Sequence, residues 1–279
     1  MTPGRASLDV LRGRLRSHGW LVVAYSGGAD SAFLVVVAAQ ALGAAHVLAV
    51  TAVSPSLAAT ERTDAAAFAA EHGVRHVEVT TEEMARAAYR RNDGDRCYWC
   101  KDALLDALGP VAEAEAGPGG PPVSIALGVN LDDLGDHRPG QRAAAERGAV
   151  FPLVEAGFAK ADVRRLSRTL GLRTWDKPAA PCLASRLPYG TPVSVALLGR
   201  VERAEAALRA LGFVEVRVRH GGDTARIEVP VADLPTVVDR RGEVVEAITG
   251  AGYTRVTLDL EGLRSGNLNA DLARPAPAP

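Results

Sequence analysis

Apolar residues are grouped along the chain in short runs, separated by polar stretches rich in turn formers. Trp20-Leu21-Val22-Val23-Ala24-Tyr25 has the length of a strand and stops at Ser26-Gly27-Gly28. A second run, Ala32-Phe33-Leu34-Val35-Val36-Val37, follows almost at once. Runs that are apolar at every position belong to elements covered on all sides. They predict a buried strand, a glycine turn and a helix that starts at the turn. The same reading gives strands over 46–51, 74–79 and 123–128, a short strand over 149–153, and helices over 58–72, 101–116 and 160–170. Gly117-Pro118-Gly119-Gly120-Pro121-Pro122 breaks the pattern between the third helix and the strand after it. Strands alternating with helices predict a parallel sheet covered on both faces.

Between 175 and 191 the periodicity stops. Pro178, Pro181, Pro188 and Gly190 mark a long ordered loop, and loops of that length inside a compact protein are usually functional. Beyond it a different order is predicted: helix 195–211, strands 214–219 and 225–229, helix 234–249 and strand 255–260. The expected fold class is α/β, a Rossmann-like parallel sheet with a smaller C-terminal α+β domain. The expected divisions are 1–176 for nucleotide binding, 177–192 for a loop carrying Cys182, 193–270 for the small domain, and a disordered Pro/Ala tail at 271–279.

A strand-glycine-helix turn aims backbone N–H groups and a helix N-terminus at one point, and such a point binds phosphate. Gly27 and Gly28 let the backbone approach closely, and Ser26 and Ser31 add hydroxyl donors. Asp30 is unusual there, because a carboxylate repels phosphate unless a metal lies between them; it reads as a Mg²⁺ ligand. No Gly-Lys-Ser/Thr follows the glycines, and Gly-x-Gly-x-x-Gly is absent. The segment instead resembles the Ser-Gly-Gly-x-Asp-Ser loop of the ATP pyrophosphatases. That resemblance implies ATP cleaved between its α and β phosphates, with the adenylate passed to a substrate oxygen. The bland alternative is a glycine-rich turn that holds nothing.

Composition narrows the class. At 279 residues, 47% hydrophobic and 23% charged, the chain is long enough for one large or two modest domains. Lys+Arg 32 against Asp+Glu 33 leaves a net charge of −1, which gives no reason to expect nucleic acid as a partner. No apolar run is long enough to span a bilayer and no signal-peptide pattern is read at the start, so a cytoplasmic location is expected. In that compartment three cysteines point to metal or catalysis rather than to disulfides. Cys97-Tyr98-Trp99-Cys100 with the distant Cys182 suits a [4Fe–4S] cluster having one open iron. Zinc with His137 or His220 as fourth ligand, a redox dithiol, and inert buried cysteines stay open.

Further motifs carry a closer resemblance: Arg96-Cys97-Tyr98-Trp99-Cys100-Lys101, Gly128-Val129-Asn130-Leu131-Asp132-Asp133, Pro181-Cys182-Leu183-Ala184-Ser185-Arg186 and Arg217-Val218-Arg219. With the loop at Ser26 they resemble the LarE-type ATP-dependent sulfur transferases of nickel-pincer nucleotide biosynthesis, over nearly the whole chain. The resemblance implies a small-molecule substrate, pyridinium-3,5-biscarboxylic acid mononucleotide, whose carboxylates are adenylated and then thiolated. ATP and Mg²⁺ are the implied cofactors, and Asn130 and Asp133 join the loop at the nucleotide. Members with three cysteines resemble cluster enzymes, in which a sulfide on the open iron is transferred. Members with one, at the position of Cys182, give up that cysteine's own sulfur.

The remaining roles are implied in the same way. Lys101, Ser185 and Arg186 join Cys182 as catalytic groups. Arg186, Arg217 and Arg219 are candidate clamps for the substrate's phosphate and carboxylates, the last two being two apart on a strand and so on one face, and Glu205 pairs with an arginine, touches substrate or lies on a solvated helix face. Asp132, or Asp133 itself, positions Asn130, helps Mg²⁺ or caps a turn. Lys160 and Arg164 steady pyrophosphate or form a solvated helix face. Tyr98 and Trp99 shield the site or pack. A homo-oligomer is implied by analogy. A tRNA thiolase, an amide ligase resembling NAD synthetase, and a nucleotide sensor with structural zinc are the rivals.

Overall fold

Alternation along a strand sends neighbouring side chains to opposite faces, and the first strand shows why its run is apolar throughout. Leu21 and Val23 enter one buried cluster with Phe33, Leu34 and Phe158. Val22, between them, enters another with Leu104, Leu105 and Leu108. The computed structural model describes residues 6–135 and 139–264. In chain order its elements are α1 (Leu8–His18), β1 (Trp20–Ala24), α2 (Ala29–Leu42), β2 (Val47–Val53), α3 (Ala59–Glu71), β3 (Arg75–Thr80), α4 (Ala87–Arg91), α5 (Arg96–Ala116), β4 (Val123–Leu127), α6 (Pro139–Glu146), α7 (Pro152–Glu155), α8 (Lys160–Thr169), α9 (Val195–Ala210), β5 (Arg217–Gly221), β6 (Thr224–Glu228), α10 (Leu234–Asp239), α11 (Arg241–Gly250) and β7 (Arg255–Leu258).

Among the described residues, 6–86 and 95–180 form one compact unit, and 87–94 with 181–264 form a second. The first holds a four-stranded sheet ordered β3-β2-β1-β4, parallel at every pairing. β1 has β2 on one side and β4 on the other, so the strand order reverses there. In open α/β sheets ligands bind beyond the carboxyl ends of the strands at such a reversal. The Ser26 loop leaves β1 at that point, and Gly128 to Asn130 leave β4 beside it.

The second unit has a three-stranded sheet, β5-β6-β7, with β5–β6 antiparallel and β6–β7 parallel. Ala204 and Leu208 of α9, and Val244 and Ile248 of α11, pack with Val218, Ile227 and Tyr253 in its core. The strip 87–94 is tied into this unit. Val193 N–H donates to Arg90 O (2.8 Å) and Gly190 N–H to Asn92 O (3.1 Å). Asn92 Nδ2 donates to Pro188 O (2.8 Å) and Thr191 O (2.9 Å). Asn92 is fully buried and has φ of 60°, a left-handed conformation that asparagine tolerates better than most residues.

Several predicted boundaries move. α5 starts at Arg96 rather than 101, which puts Cys97 and Cys100 on the helix itself. Instead of a strand over 149–153, Val150 makes a single bridge to Ala126 and Pro152 opens α7, a position that proline favours. The helix expected over 234–249 is two helices, interrupted at Arg240. β5 begins at Arg217, because Val214 lies outside the sheet and is 83% exposed. The first unit ends at 180 rather than 176 and gives up residues 87–94 to the second. The tail at 271–279 and His137 lie outside the described residues. No helix among the described residues is long and apolar enough to cross a membrane.

Candidate active site

In the first unit the β1–α2 turn is built as a cradle. Gly27 has φ of +70°, and a Cβ there would lie 2.9 Å from Ala65 Cβ on α3, so the position excludes a side chain. Gly28 caps α2 without a side-chain hydrogen bond, which leaves the first-turn N–H groups for a ligand. Ser31 closes the loop on itself: Ser26 N–H donates to Ser31 Oγ (3.3 Å), Ser26 Oγ lies 3.2 Å from Ser31 Oγ, and Ser31 Oγ–H donates to Gly28 O (3.2 Å).

β4 delivers the adjoining groups. Gly128 lies so close to α2 that a Cβ would stand 2.9 Å from Ser31 N. Asn130 Nδ2 donates to Asp30 Oδ1 (3.3 Å), and Asn130 N–H is held by Asp133 Oδ2 (3.1 Å). Asp132 N–H donates to Asn130 Oδ1 (3.0 Å), while the Asp132 carboxylate accepts Lys160 N–H at the start of α8 (2.7 Å). Lys160 Nζ donates to Asp30 Oδ2 at 2.5 Å. The two aspartates after Asn130 thus orient their neighbours, and Asp30 is partnered by Lys160. Arg164, one turn on, lines a shallow cavity with Arg165, Arg168 and Trp175.

One residue at this loop escaped the sequence reading. Lys177 Nζ donates to Gly27 O (3.2 Å) and Asp64 Oδ2 (2.6 Å), and lies 2.9 Å from Glu61 Oε2. Burial disfavours its charge, but hydrogen bonds to Asp64 and Glu61 outweigh that and raise its pKa above the ordinary lysine value. Lys177 falls in the aperiodic stretch and belongs to no motif. The only signal for it was the pair Glu61 and Asp64, three apart and so on one face of α3.

Cys97 and Cys100 sit three apart at the start of α5, again on one face. Gly140 of α6 packs against this turn, where a Cβ would lie 2.8 Å from Lys101 Cγ and 3.0 Å from Cys97 O. Tyr98 OH donates to Glu146 Oε2 (2.6 Å) and Trp99 Nε1 to Asp95 Oδ2 (2.9 Å), so both rings are committed to holding this end of the helix.

In the second unit, Cys182 precedes the short turn Leu183–Arg186 and is exposed. Arg186 braces that turn. Its Nη1 donates to Pro181 O (2.6 Å), Cys182 O (3.3 Å) and Ser185 Oγ (3.0 Å), and its Nε to Glu205 Oε1 (2.7 Å). Glu205 is fully buried and also accepts from Arg209 Nη2 (2.9 Å) and Val218 N–H (3.1 Å). Arg219 pairs with Glu228 and donates to Ser185 O (2.8 Å). Arg217 donates to Arg264 O (3.0 Å). Burial, then the charges of Arg186 and Arg219, push the Arg217 pKa down. An anion bound beside it would reverse that penalty.

None of the three cysteines forms a disulfide, and Cys97 and Cys182 are exposed. Within each unit, among the described residues, no three His, Cys, Asp or Glu side chains gather as a metal site needs. His220 is buried and its Nδ1 lies 3.3 Å from Tyr253 OH.

Comparison with known proteins adds a second line. The NAD synthase family model matches residues 5–98, the segment holding the Ser26 loop. A pyridinium-3,5-bisthiocarboxylic acid mononucleotide synthase of Lactiplantibacillus plantarum is 36% identical over 254 residues, 91% of this chain and 90% of its own. The chain belongs to this LarE-type family. It is thereby an ATP-using enzyme of the pyrophosphate-loop superfamily. An uncharacterized protein of Synechocystis sp. is 47% identical over 91% of this chain and 93% of its own, and one of Methanocaldococcus jannaschii is 25% identical over 88% and 91%. For a LarE-type chain, the groups described divide cleanly. Ser26, Gly27, Gly28, Asp30, Ser31, Asn130, Asp133, Cys97, Cys100 and Lys101 belong to the first unit, and Cys182, Ser185, Arg186, Glu205, Arg217 and Arg219 to the second.

Proposed function

We propose that this enzyme adenylates a carboxylate of pyridinium-3,5-biscarboxylic acid mononucleotide and replaces one of its oxygens with sulfur, twice per molecule. The observation that carries the reading is the 36% identity to the named synthase along nine-tenths of both chains. A carboxylate oxygen attacks the α-phosphorus of ATP, the bond to the β-phosphate breaks, and pyrophosphate leaves. The carboxylate is anionic and a poor electrophile, whereas its acyl adenylate carries a good leaving group. Sulfur attacks the acyl carbon, and AMP departs with the former carboxylate oxygen.

In this scheme Ser26, Gly27, Gly28, Ser31 and the first-turn N–H groups of α2 hold the pyrophosphate. Asp30 holds Mg²⁺, and Lys160, paired with Asp30 when no metal is bound, turns to phosphate. Asn130 and Asp133 border the nucleotide. Arg217 and Arg219, with Lys101, take the anionic groups of the substrate. Arg186, with Ser185, fixes the backbone around Cys182, and Glu205 acts through Arg186. Cys97, Cys100 and Cys182 would hold a [4Fe–4S] cluster, which when bound supplies the sulfur. The enzyme works in the cytoplasm as a homo-oligomer.

Two variants of the reading have their own support. Cys182, exposed beside a braced turn, suits a cysteine that surrenders its own sulfur. The NAD synthase match favours an amide ligase, although it stops at residue 98, short of Cys100 and Cys182. Anaerobic incubation with the biscarboxylate nucleotide, ATP and Mg²⁺, read by mass spectrometry, tests all three. Exchange of oxygen for sulfur in the small molecule with an intact protein and stoichiometric iron is expected. Loss of H₂S from the protein identifies Cys182 as donor. No sulfur in the product, with full activity in Cys182→Ala, points to the ligase.

A further inference from the structure

Lys177 is the one cation that touches the backbone of the glycine loop, among the described contacts, and no role has been given to it. Its ammonium spans two elements of the first unit, joining Gly27 O on the β1–α2 turn to Asp64 and Glu61 on α3. The side chain is only 16% exposed, so it is not a solvated lysine that happens to lie near. The Asp64 carboxylate is itself oriented by Arg173, whose Nη1 donates to Asp64 Oδ1 (2.5 Å), whose Nη2 donates to the Asp64 backbone O (3.1 Å) and whose Nε pairs with Glu71 at 3.0 Å. The chain of contacts therefore runs from Glu71 through Arg173 and Asp64 to Lys177 and the Gly27 carbonyl.

That carbonyl is the part of the loop most in need of an anchor. Gly27 sits at φ +70°, and its carbonyl shares a planar trans peptide with the Gly28 N–H, so holding that carbonyl on one side turns the Gly28 N–H to the other, where a phosphate can be cradled. A carbonyl turned inward would put its negative end at the phosphate instead. We infer that Lys177 is a positioning residue of the phosphate cradle: it holds the Gly27 carbonyl away from the ligand and keeps the loop amides preorganised for pyrophosphate. Asp64 and Glu61 hold the ammonium in register, so they serve the loop through Lys177. The inference rests on the loop binding ATP and pyrophosphate, as proposed above.

The test is pyrophosphate and ATP binding to the full-length protein by calorimetry, together with ATP–pyrophosphate exchange kinetics. Losing one charge-assisted hydrogen bond is expected to weaken binding about tenfold or more in Lys177→Met. The loss should fall on KM for ATP with little change in kcat, and Lys177→Arg should recover most of it. Asp64→Asn should weaken pyrophosphate in the same direction, and Lys177→Met/Asp64→Asn should be no worse than Lys177→Met alone, the mark of residues acting as one unit. A folded Lys177→Met protein with wild-type affinity for pyrophosphate overturns the inference. So does additive loss in the double variant, or failure of Lys177→Arg to rescue. If wild type binds neither ATP nor pyrophosphate, the reading of the loop falls and this inference falls with it.

Discussion

Single residues at this loop are chosen by space and by charge. Gly27 must take a left-handed φ and must carry no Cβ, since Ala65 stands where one would go. Gly27→Ala is therefore expected to destabilise the protein by about 1–3 kcal/mol and to raise KM for ATP. Thermal unfolding and exchange kinetics on the same preparation check both. Charge makes a second prediction. Burial pushes the Asp64 carboxyl up, but hydrogen bonds from Lys177 and Arg173 outweigh it and hold its pKa below the ordinary 3.8. Its contribution to stability is full above that ordinary value and is lost as pH falls through the lowered one. The Lys177 contribution is full below 10.5 and is lost as pH rises through its raised value. Unfolding of wild type and Asp64→Asn should thus differ by a constant amount across the neutral range and converge in acid below 3.8.

At the scale of elements, the sequence is most legible where both faces of a strand are covered. β1 carries an unbroken apolar run, β2 and β4 carry runs interrupted only by Thr51 and Ser124, and helix-length segments separate them. The second unit was legible in kind but less so in its bounds, since Val214 has a strand-former's side chain yet lies exposed ahead of β5. The cradle residues were readable because a phosphate loop is local: Ser26 to Ser31 lie within six residues. The braces were not, because each joins residues far apart. Lys177 is 150 residues from Gly27, and Asn130 is 100 from Asp30. Arg186 and Glu205 could be picked out by type, but not their pairing inside the second unit. That pairing predicts a large effect. Glu205→Gln leaves Arg186 buried without its carboxylate and should cost about 3–5 kcal/mol. Denaturant unfolding of the full chain measures it, and Glu205→Asp should recover part.

At the scale of the whole molecule, the chain passes between its two units three times, after residues 86, 94 and 180. Cys97 follows the second passage by three residues and Cys182 follows the third by two. Periodicity could not reveal this, because 87–94 reads as an unremarkable link and is held by hydrogen bonds to residues nearly a hundred positions away. Asn92→Ala removes the donors to Pro188 and Thr191 and is expected to cost about 1–3 kcal/mol, measured as a lower unfolding midpoint.

The strip also fixes an order of events during synthesis. Asn92 emerges 96 residues ahead of Pro188 and 99 ahead of Thr191, its two acceptors. At ordinary elongation rates that is a wait of roughly 5–20 seconds. The first unit can close once residue 180 has been made, but the second cannot, and Tyr89, buried in the finished fold, spends the interval without its core. Residues 87–94 thus stay without their partners even after the first unit can close, until Thr191 and Val193 have been made.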